Sequence, residues 1–398
     1  MTAYTPAMTL PDMNSITQYC RVEDIETFLQ MISESITSDR DRIIDWKRTK
    51  DLLVASIEQT RGPLLKAIHE SLNQIELERF LLISSVNELH RSCTEYRDIL
   101  SSHVMNTVLI EMDAAGYVRP MVPFALISMG SDGRKEQTLI TDQDNLIVYG
   151  DDGGETADYY FNELSSRLVD KLEEAGFMRC TGDIMPTNQI WRGSFSQWHK
   201  RLLSIVRYEV EDIGKNVMNL IVLSDARYVC GDKGLATELI DMIRTMEHEY
   251  FQVLWGMAKA ATEMKLALGF MKRIWTESSG EHNGEFNIKL LAWAPLVMNV
   301  RILAINQCIP ATSTLERISL LESEGSFSPS FTRDLVDAYH VLTKHRILIQ
   351  IRSLKGIQSD SHYLNPYQLS TTEREQIRRA MIKIEDLQKI IHTNFHIV

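Results

Sequence analysis

The chain has 398 residues, 44% hydrophobic and 24% charged, a balance that suits a folded protein of two or three domains. Its formal net charge of −12 disfavours non-specific nucleic-acid binding, which needs clustered Lys and Arg against phosphate. Five cysteines, at 20, 93, 180, 230 and 308, form no Cys-x-x-Cys pair, which argues against a disulfide framework or structural zinc and for reduced thiols in a cytoplasm.

No apolar run approaches the roughly 18 residues needed to cross a bilayer, so no membrane partner is expected. The polar, proline-containing start lacks the basic end and apolar core of a secretory signal. Residues 1–20 read as a flexible arm. From Val22 the pattern turns helical, with Ile25, Phe28, Leu29, Ile32 and Ile36 on one face. Leu82, Val86, Leu89, Cys93, Tyr96 and Leu100 then recur at spacings of four and three. That seam packs either within the chain or between copies, so the N-terminal helices over 21–110 are also a candidate oligomer contact. Pro120 and Pro123 end this region.

Phe124–Met129 reads as a short buried strand, and Leu146–Tyr149 as another, rich in β-branched and aromatic residues. Gly150–Gly154 is a turn without the ligand spacing of a calcium loop. Phe161, Leu164, Leu168 and Leu172 mark an amphipathic helix ended by Gly176, and Phe177–Thr181 is the next strand. This alternation predicts an α/β core over 111–235. Beyond it strands give way to helical patterning over 236–398, as in Leu335, Ala338, Tyr339 and Leu342. The expected fold is α+β: a small core of mixed sheet and helices between an N-terminal helical region and a C-terminal helical bundle.

The chemistry concentrates between the first two strands. Gly130 and Ser131 follow the first strand, where a glycine lets backbone approach a ligand and a helix start presents free N–H groups to phosphate. Arg134 can meet phosphate oxygens with a planar fork. Asp142 and Asp144 stand two residues apart at the entry to the second strand, so an extended chain points both carboxylates the same way. Such a pair repels itself unless a cation lies between, and Mg²⁺ prefers a few carboxylates plus substrate phosphates. The order suits an enzyme that grips a nucleoside triphosphate (NTP) through bound metal.

At these residues the chain resembles the family of putative nucleotidyltransferases of the DNA polymerase β superfamily, related to PII-protein uridylyltransferases. The resemblance rests on Gly130-Ser131, Arg134, Glu136-Gln137-Thr138-Leu139 and Thr141-Asp142-Gln143-Asp144-Asn145. It extends through Cys180–Met185, Asn188, Trp191-Arg192 and Ser224–Asp232 to Asn287-Ile288-Lys289, Ser313–Arg317, Arg346 and Gln350 in a C-terminal substrate-binding domain. It implies Mg²⁺-dependent transfer of a nucleoside monophosphate from an NTP to a hydroxyl, with UTP and a protein tyrosine of the PII type among the candidates.

Such a metal site needs a third carboxylate. Asp183, after Gly182, is the first choice and Asp225 the reserve; Glu136 is read as a partner for Arg134. Trp191 and Trp198 either wall a base pocket or pack the core. Lys289, Arg317 and Arg346 match family positions from which a cation could reach substrate, or else sit solvated on helix surfaces. The eleven histidines form no metal-like grouping. Gly130, Ser131 and Arg134 are thus the expected nucleotide contacts, and Asp142, Asp144 and Asp183 the expected catalytic and metal ligands. The rival reading is a non-catalytic nucleotide-binding regulatory or interaction module on the same fold.

Overall fold

The computed structural model describes residues 22–397, which divide into two compact units between Ala55 and Ser56. The expected arm at 1–20 lies outside the described residues, as do the side chains of Ile25, Phe28, Leu29 and Ile32. In the first unit the chain is the helix α1 (Val22–Ile57), on which Ile36, Ile44 and Leu52 are exposed.

The second unit opens with α2 (Pro63–Ile83), whose Pro63 occupies the first turn, where a missing N–H costs nothing. It stops at Ser84, which adopts the left-handed conformation at φ 56°. Ser85 then caps α3 (Val86–Ala114) by accepting from the Glu88 amide. The heptad-like seam is therefore not one helix: Leu82 belongs to α2 and the other members to α3. Val86, Leu89, Cys93, Tyr96 and Leu100 are all buried inside the unit, against neighbouring elements of the same chain.

The core sheet runs β5–β3–β1–β6. Its strands are β1 (Phe124–Ser128), β3 (Asn145–Tyr149), β5 (Arg192–Ser194) and β6 (Arg227–Gly231). β1 is antiparallel to β3 and β6, while β3 and β5 are parallel, so the sheet is mixed. β1 and β3 are buried throughout, which is why both read as continuous apolar runs. Between them lie the one-turn helix α4 (Gly130–Gly133) and β2 (Asp142–Gln143). β2 pairs in parallel with β4 (Met178–Arg179), a strand shorter than the expected Phe177–Thr181.

The helix α5 (Gly154–Glu174) lays Tyr160, Phe161, Leu164, Leu168 and Leu172 into the core. Each side chain buried in this way contributes about 1.5–3 kcal/mol. The helix α6 (Phe195–Val206) starts with a reciprocal Ser194–Gln197 capping box. Trp198 on α6 is 1% exposed and donates to the Ile147 carbonyl at 3.2 Å, and Trp191 is buried, so both tryptophans pack the core.

After α7 (Ile213–Leu223) and β6 come α8 (Lys233–Glu249), α9 (Phe251–Thr262), α10 (Ala294–Asn306), α11 (Thr314–Ser323), α12 (Pro329–Leu354) and α13 (Thr371–Asn394). A π-helical turn, Lys289–Trp293, leads into α10. Strands do not vanish here: β7 (Phe286–Asn287) and β8 (Tyr363–Leu364) form a two-residue antiparallel pair, too short to leave a periodic signal. The stretch Lys289–Asn306 reaches the length and hydropathy of a membrane span, but 72% of it is buried in the fold and it carries the ion-paired Arg301.

Candidate active site

β1 ends at Ser128, whose hydroxyl donates to Asp132 at 2.6 Å and to the Asn145 side-chain carbonyl at 3.1 Å. The Met129 amide donates to the Asp144 carbonyl at 2.8 Å, so the turn after β1 is tied to the entry of β3. Gly130 sits at φ +56°, and a β-carbon there would stand 2.2 Å from Asp144 Oδ2. Only glycine fits both the backbone angle and the space. The amides of Gly130, Ser131 and Asp132 precede the first helical bond of the turn, from Gly133 N to Met129 O. The Ser131 hydroxyl is partly exposed beside them.

Asp132 is held from two sides: Arg227 donates to its carboxylate at 2.7 Å and also spans Asp98 at 2.8 and 2.9 Å. This acid braces the turn. Gln143, between the two candidate ligands, points the opposite way and donates to the carbonyls of Val169 and Phe177. That alternation brings Asp142 and Asp144 to one side.

Asp142, Asp144 and Cys180 each place a ligand atom within 4.8 Å of the others. Burial first, and then the Asp142 charge, push the Asp144 carboxyl up to about 7. Asp144 Oδ1 is sealed from solvent and has no hydrogen-bond partner. A buried oxygen without a donor, beside a second carboxylate, is the environment a hard divalent cation relieves. Burial, then Asp144, lift the Cys180 thiol to about 12. Without a cation the thiol is thus protonated and can donate to Asp144. The two carboxylates suit Mg²⁺ completed by water and phosphate oxygens, with the Cys180 thiol beside them.

Asp183 follows Gly182 in the segment beside β3, where the Asn145 amide donates to the Ile184 carbonyl at 3.1 Å. The Asp183 backbone is left-handed at φ 56°, and its exposed carboxylate accepts from Asn188 Nδ2 at 2.8 Å. It stands outside the group formed by Asp142, Asp144 and Cys180. The sequence places Cys180 in the family-like segment Cys180–Met185 and among the reduced thiols, without a role at the metal site. Its place at the end of the strand that pairs with β2 was the available signal.

Arg134 also lies elsewhere than at an open phosphate edge. It is 4% exposed, donates to Glu136 at 2.8 Å and to Asp225 at 2.5 Å, and sits over the Trp293 ring. Asp225 is fully buried and is also met by Arg301 and by Arg317, the latter at 3.0 Å. Burial alone would raise the Asp225 carboxyl, but Arg301, Arg134 and Arg317 outweigh it and hold it below the usual carboxylate range. Glu136 accepts from the Thr314 amide at 2.6 Å, and Thr312 donates to the Gly133 carbonyl at 2.8 Å. The chain just after Gly130–Ser131 is therefore locked to helices some 180 residues downstream in a buried ion network.

Two family models match the chain. "Putative nucleotidyltransferase DUF294" matches residues 75–212, and "Putative nucleotidyltransferase substrate binding domain" matches residues 251–395. No curated protein matches it. The first match contains Gly130, Asp142, Asp144 and Cys180, and the second contains Arg301, Arg317 and Arg346. The chain belongs to this family of putative nucleotidyltransferases.

Proposed function

We propose that the chain is a Mg²⁺-dependent enzyme that moves a nucleoside monophosphate from an NTP to a hydroxyl acceptor. Nucleotidyltransferase function in general follows from the family; the metal, the donor and the acceptor are our reading. The observation that carries it is the unpartnered, buried Asp144 Oδ1 facing the Asp142 carboxylate beside the Gly130 turn.

In this reading Asp142 and Asp144 hold Mg²⁺, which when bound lowers the pKa of the attacking hydroxyl and neutralises charge on the leaving pyrophosphate. Gly130 and Ser131 lay backbone amides and a hydroxyl against phosphate oxygens, fixing the nucleotide relative to the carboxylates. Cys180 orients Asp144 through its thiol proton. Arg134 acts indirectly by pinning Glu136 and Asp225, so it positions the turn. Asp183, proposed from sequence as the third carboxylate, would enter the site only if its bond to Asn188 gave way.

We divide the chain for this purpose into a core at 111–235 and a helical acceptor-side domain at 236–398. Uridylyl transfer to a protein hydroxyl, such as a PII-type tyrosine, is supported by the uridylyltransferase-like segment Ser224–Asp232. The four described cysteines are unbonded, in keeping with a reducing cytoplasm.

The test is Mg²⁺-dependent release of pyrophosphate from each of the four NTPs, with hydroxyl-bearing proteins, including a PII-type protein, as acceptors. Absence of both Mg²⁺-dependent NTP binding and pyrophosphate release would defeat the proposal. One observation favours a second reading, a nucleotide-binding module without turnover: the third position beside the two carboxylates is a thiol, not an acid. Tight NTP binding with no turnover across all acceptors would select it.

A further inference from the structure

Arg346, on α12, is 8% exposed, yet its guanidinium makes no hydrogen bond and no ion pair within 4.0 Å among the described residues. It sits over the Trp293 ring, 3.8 Å from the centroid. Trp293 is itself fixed by its indole N–H, which donates to Thr343 at 3.1 Å. Tyr339, Thr343, Arg346 and Gln350 recur at helical spacing, making one buried polar seam along the helix. Gln350 is 3% exposed, and its Oε1 is buried without a partner. Two adjacent members of this seam thus carry polar capacity that the protein leaves unused.

Within the ion-paired cluster behind the turn the cations outnumber the anions. Arg134, Arg301 and Arg317 face only Asp225 and Glu136, and Arg346 adds a further cation. Buried Glu247, whose Oε1 also lacks a partner, makes no ion pair with these cations among the described residues, and burial pushes its carboxyl well above the usual range. Arg134 and Arg346 share the Trp293 ring, at 5.5 and 3.8 Å from its centroid, so the Arg346 guanidinium lies beside the network that holds the Gly130 turn, and Glu136 and Asp142 are among the charges that act on it. Lys289, at the start of the π-helical turn before Trp293, is half-buried and has no ion pair among the described residues. Its charge acts on His362, as does that of Arg346. A guanidinium stays protonated even when buried, and burying one without an anion is costly. The ring occupies one face of Arg346 and leaves its planar fork free for a bidentate acceptor.

We infer that Arg346 completes the nucleotide site from the C-terminal helices by taking oxygens of the terminal phosphates with its free guanidinium fork. This rests on the reading of Asp142 and Asp144 as the metal-nucleotide site. It transfers the phosphate contact from Arg134, which is buried and ion-paired with Glu136 and Asp225, to a residue more than 200 positions downstream. The domain matched as substrate-binding would then hold the donor nucleotide as well as any acceptor.

The experiment uses the full chain and a probe without a base. Calorimetry measures binding of tripolyphosphate with Mg²⁺, and separately of uridine and adenosine, to wild type, Arg346→Gln, Arg346→Lys and Asp142→Asn. Arg346→Gln should weaken tripolyphosphate binding about 10- to 100-fold and leave nucleoside binding unchanged, with Arg346→Lys in between. If Arg346→Gln binds tripolyphosphate as wild type does while Asp142→Asn loses it, Arg346 only packs against Trp293 and the inference falls alone. If wild type binds neither tripolyphosphate nor any NTP with Mg²⁺, the nucleotidyl-transfer reading falls with it. Should Arg346→Gln fail to fold, unchanged affinity in folded Arg346→Lys overturns the inference, because lysine keeps the charge but loses the fork.

Discussion

Gly130 and Asp144 touch across the turn between the first two central strands: a β-carbon at 130 would lie 2.2 Å from Asp144 Oδ2. The contact is to the carboxylate whose other oxygen, Oδ1, is buried without a partner, and the glycine backbone is left-handed at φ +56°. Gly130→Ala should therefore displace the carboxylate and strain the turn together. The expected result is a loss of about 1–3 kcal/mol in stability and at least a 100-fold fall in Mg²⁺-dependent NTP turnover. Chemical denaturation and pyrophosphate release measure the two effects. Near-wild-type turnover would show that Asp144 is not held by this approach.

Asp142→Asn and Asp144→Asn should each abolish Mg²⁺-dependent NTP binding while leaving the metal-free protein folded. Removing either charge also removes the repulsion that helps raise the Asp144 carboxyl, so the metal-free melting temperature should hold or rise. Cys180→Ser should retain binding, because a hydroxyl can still donate to Asp144. If Cys180→Ser lost the metal as completely as Asp142→Asn, the thiol would be a ligand and Mg²⁺ the wrong ion.

Asp225→Asn should be the most damaging of the conservative changes. It would leave Arg134, Arg301 and Arg317 buried around a neutral amide, and breaking a buried network of this kind costs about 3–5 kcal/mol. The loss should appear in thermal unfolding without nucleotide. A stable Asp225→Asn protein with impaired Mg²⁺ binding would instead return Asp225 to the list of metal ligands.

Acid should weaken the fold through His69. Its Nδ1 bonds the Ala175 carbonyl at 2.8 Å, and its Nε2 accepts from Arg97 at 3.1 Å, so no site remains for a second proton. Burial, then the Arg97 charge, lower this histidine from 6.5 to about 3. Below pH 6.5 the unfolded chain binds a proton that the folded chain refuses. The His69 contribution is thus complete above pH 6.5 and is lost as pH falls toward 3, with a slope approaching about 1.4 kcal/mol per pH unit. Urea unfolding at about pH 7.5 and about pH 5 should show a shallower dependence in His69→Gln, whose carbonyl can still accept from Arg97. Buried acids such as Glu247 act in the opposite sense in both proteins, so the difference between slopes isolates His69. Equal slopes would contradict a neutral His69.

What the sequence determined is local. Gly130 after an apolar run, and Asp142 and Asp144 separated by one residue, declare their geometry because strand alternation and the left-handed turn are properties of neighbouring residues. The same logic exposed the amphipathic face of α5 and the boundaries near Pro120 and Pro123. It could not show that the seam from Leu82 to Leu100 breaks at Ser84, since spacing does not register a single left-handed residue. Nor could it choose between Cys180 and Asp183, which lie three positions apart, when only the pairing of β4 with β2 sets which side chain faces Asp144. Arg134 reads as a phosphate ligand because its partner Asp225 is 91 residues away, and the sequence leaves Arg346 open between reaching substrate and lying solvated on a helix, whereas packing sets it over Trp293. The pairing of a buried charge depends on which distant groups packing brings within a few ångströms, and that information exists only in the tertiary structure.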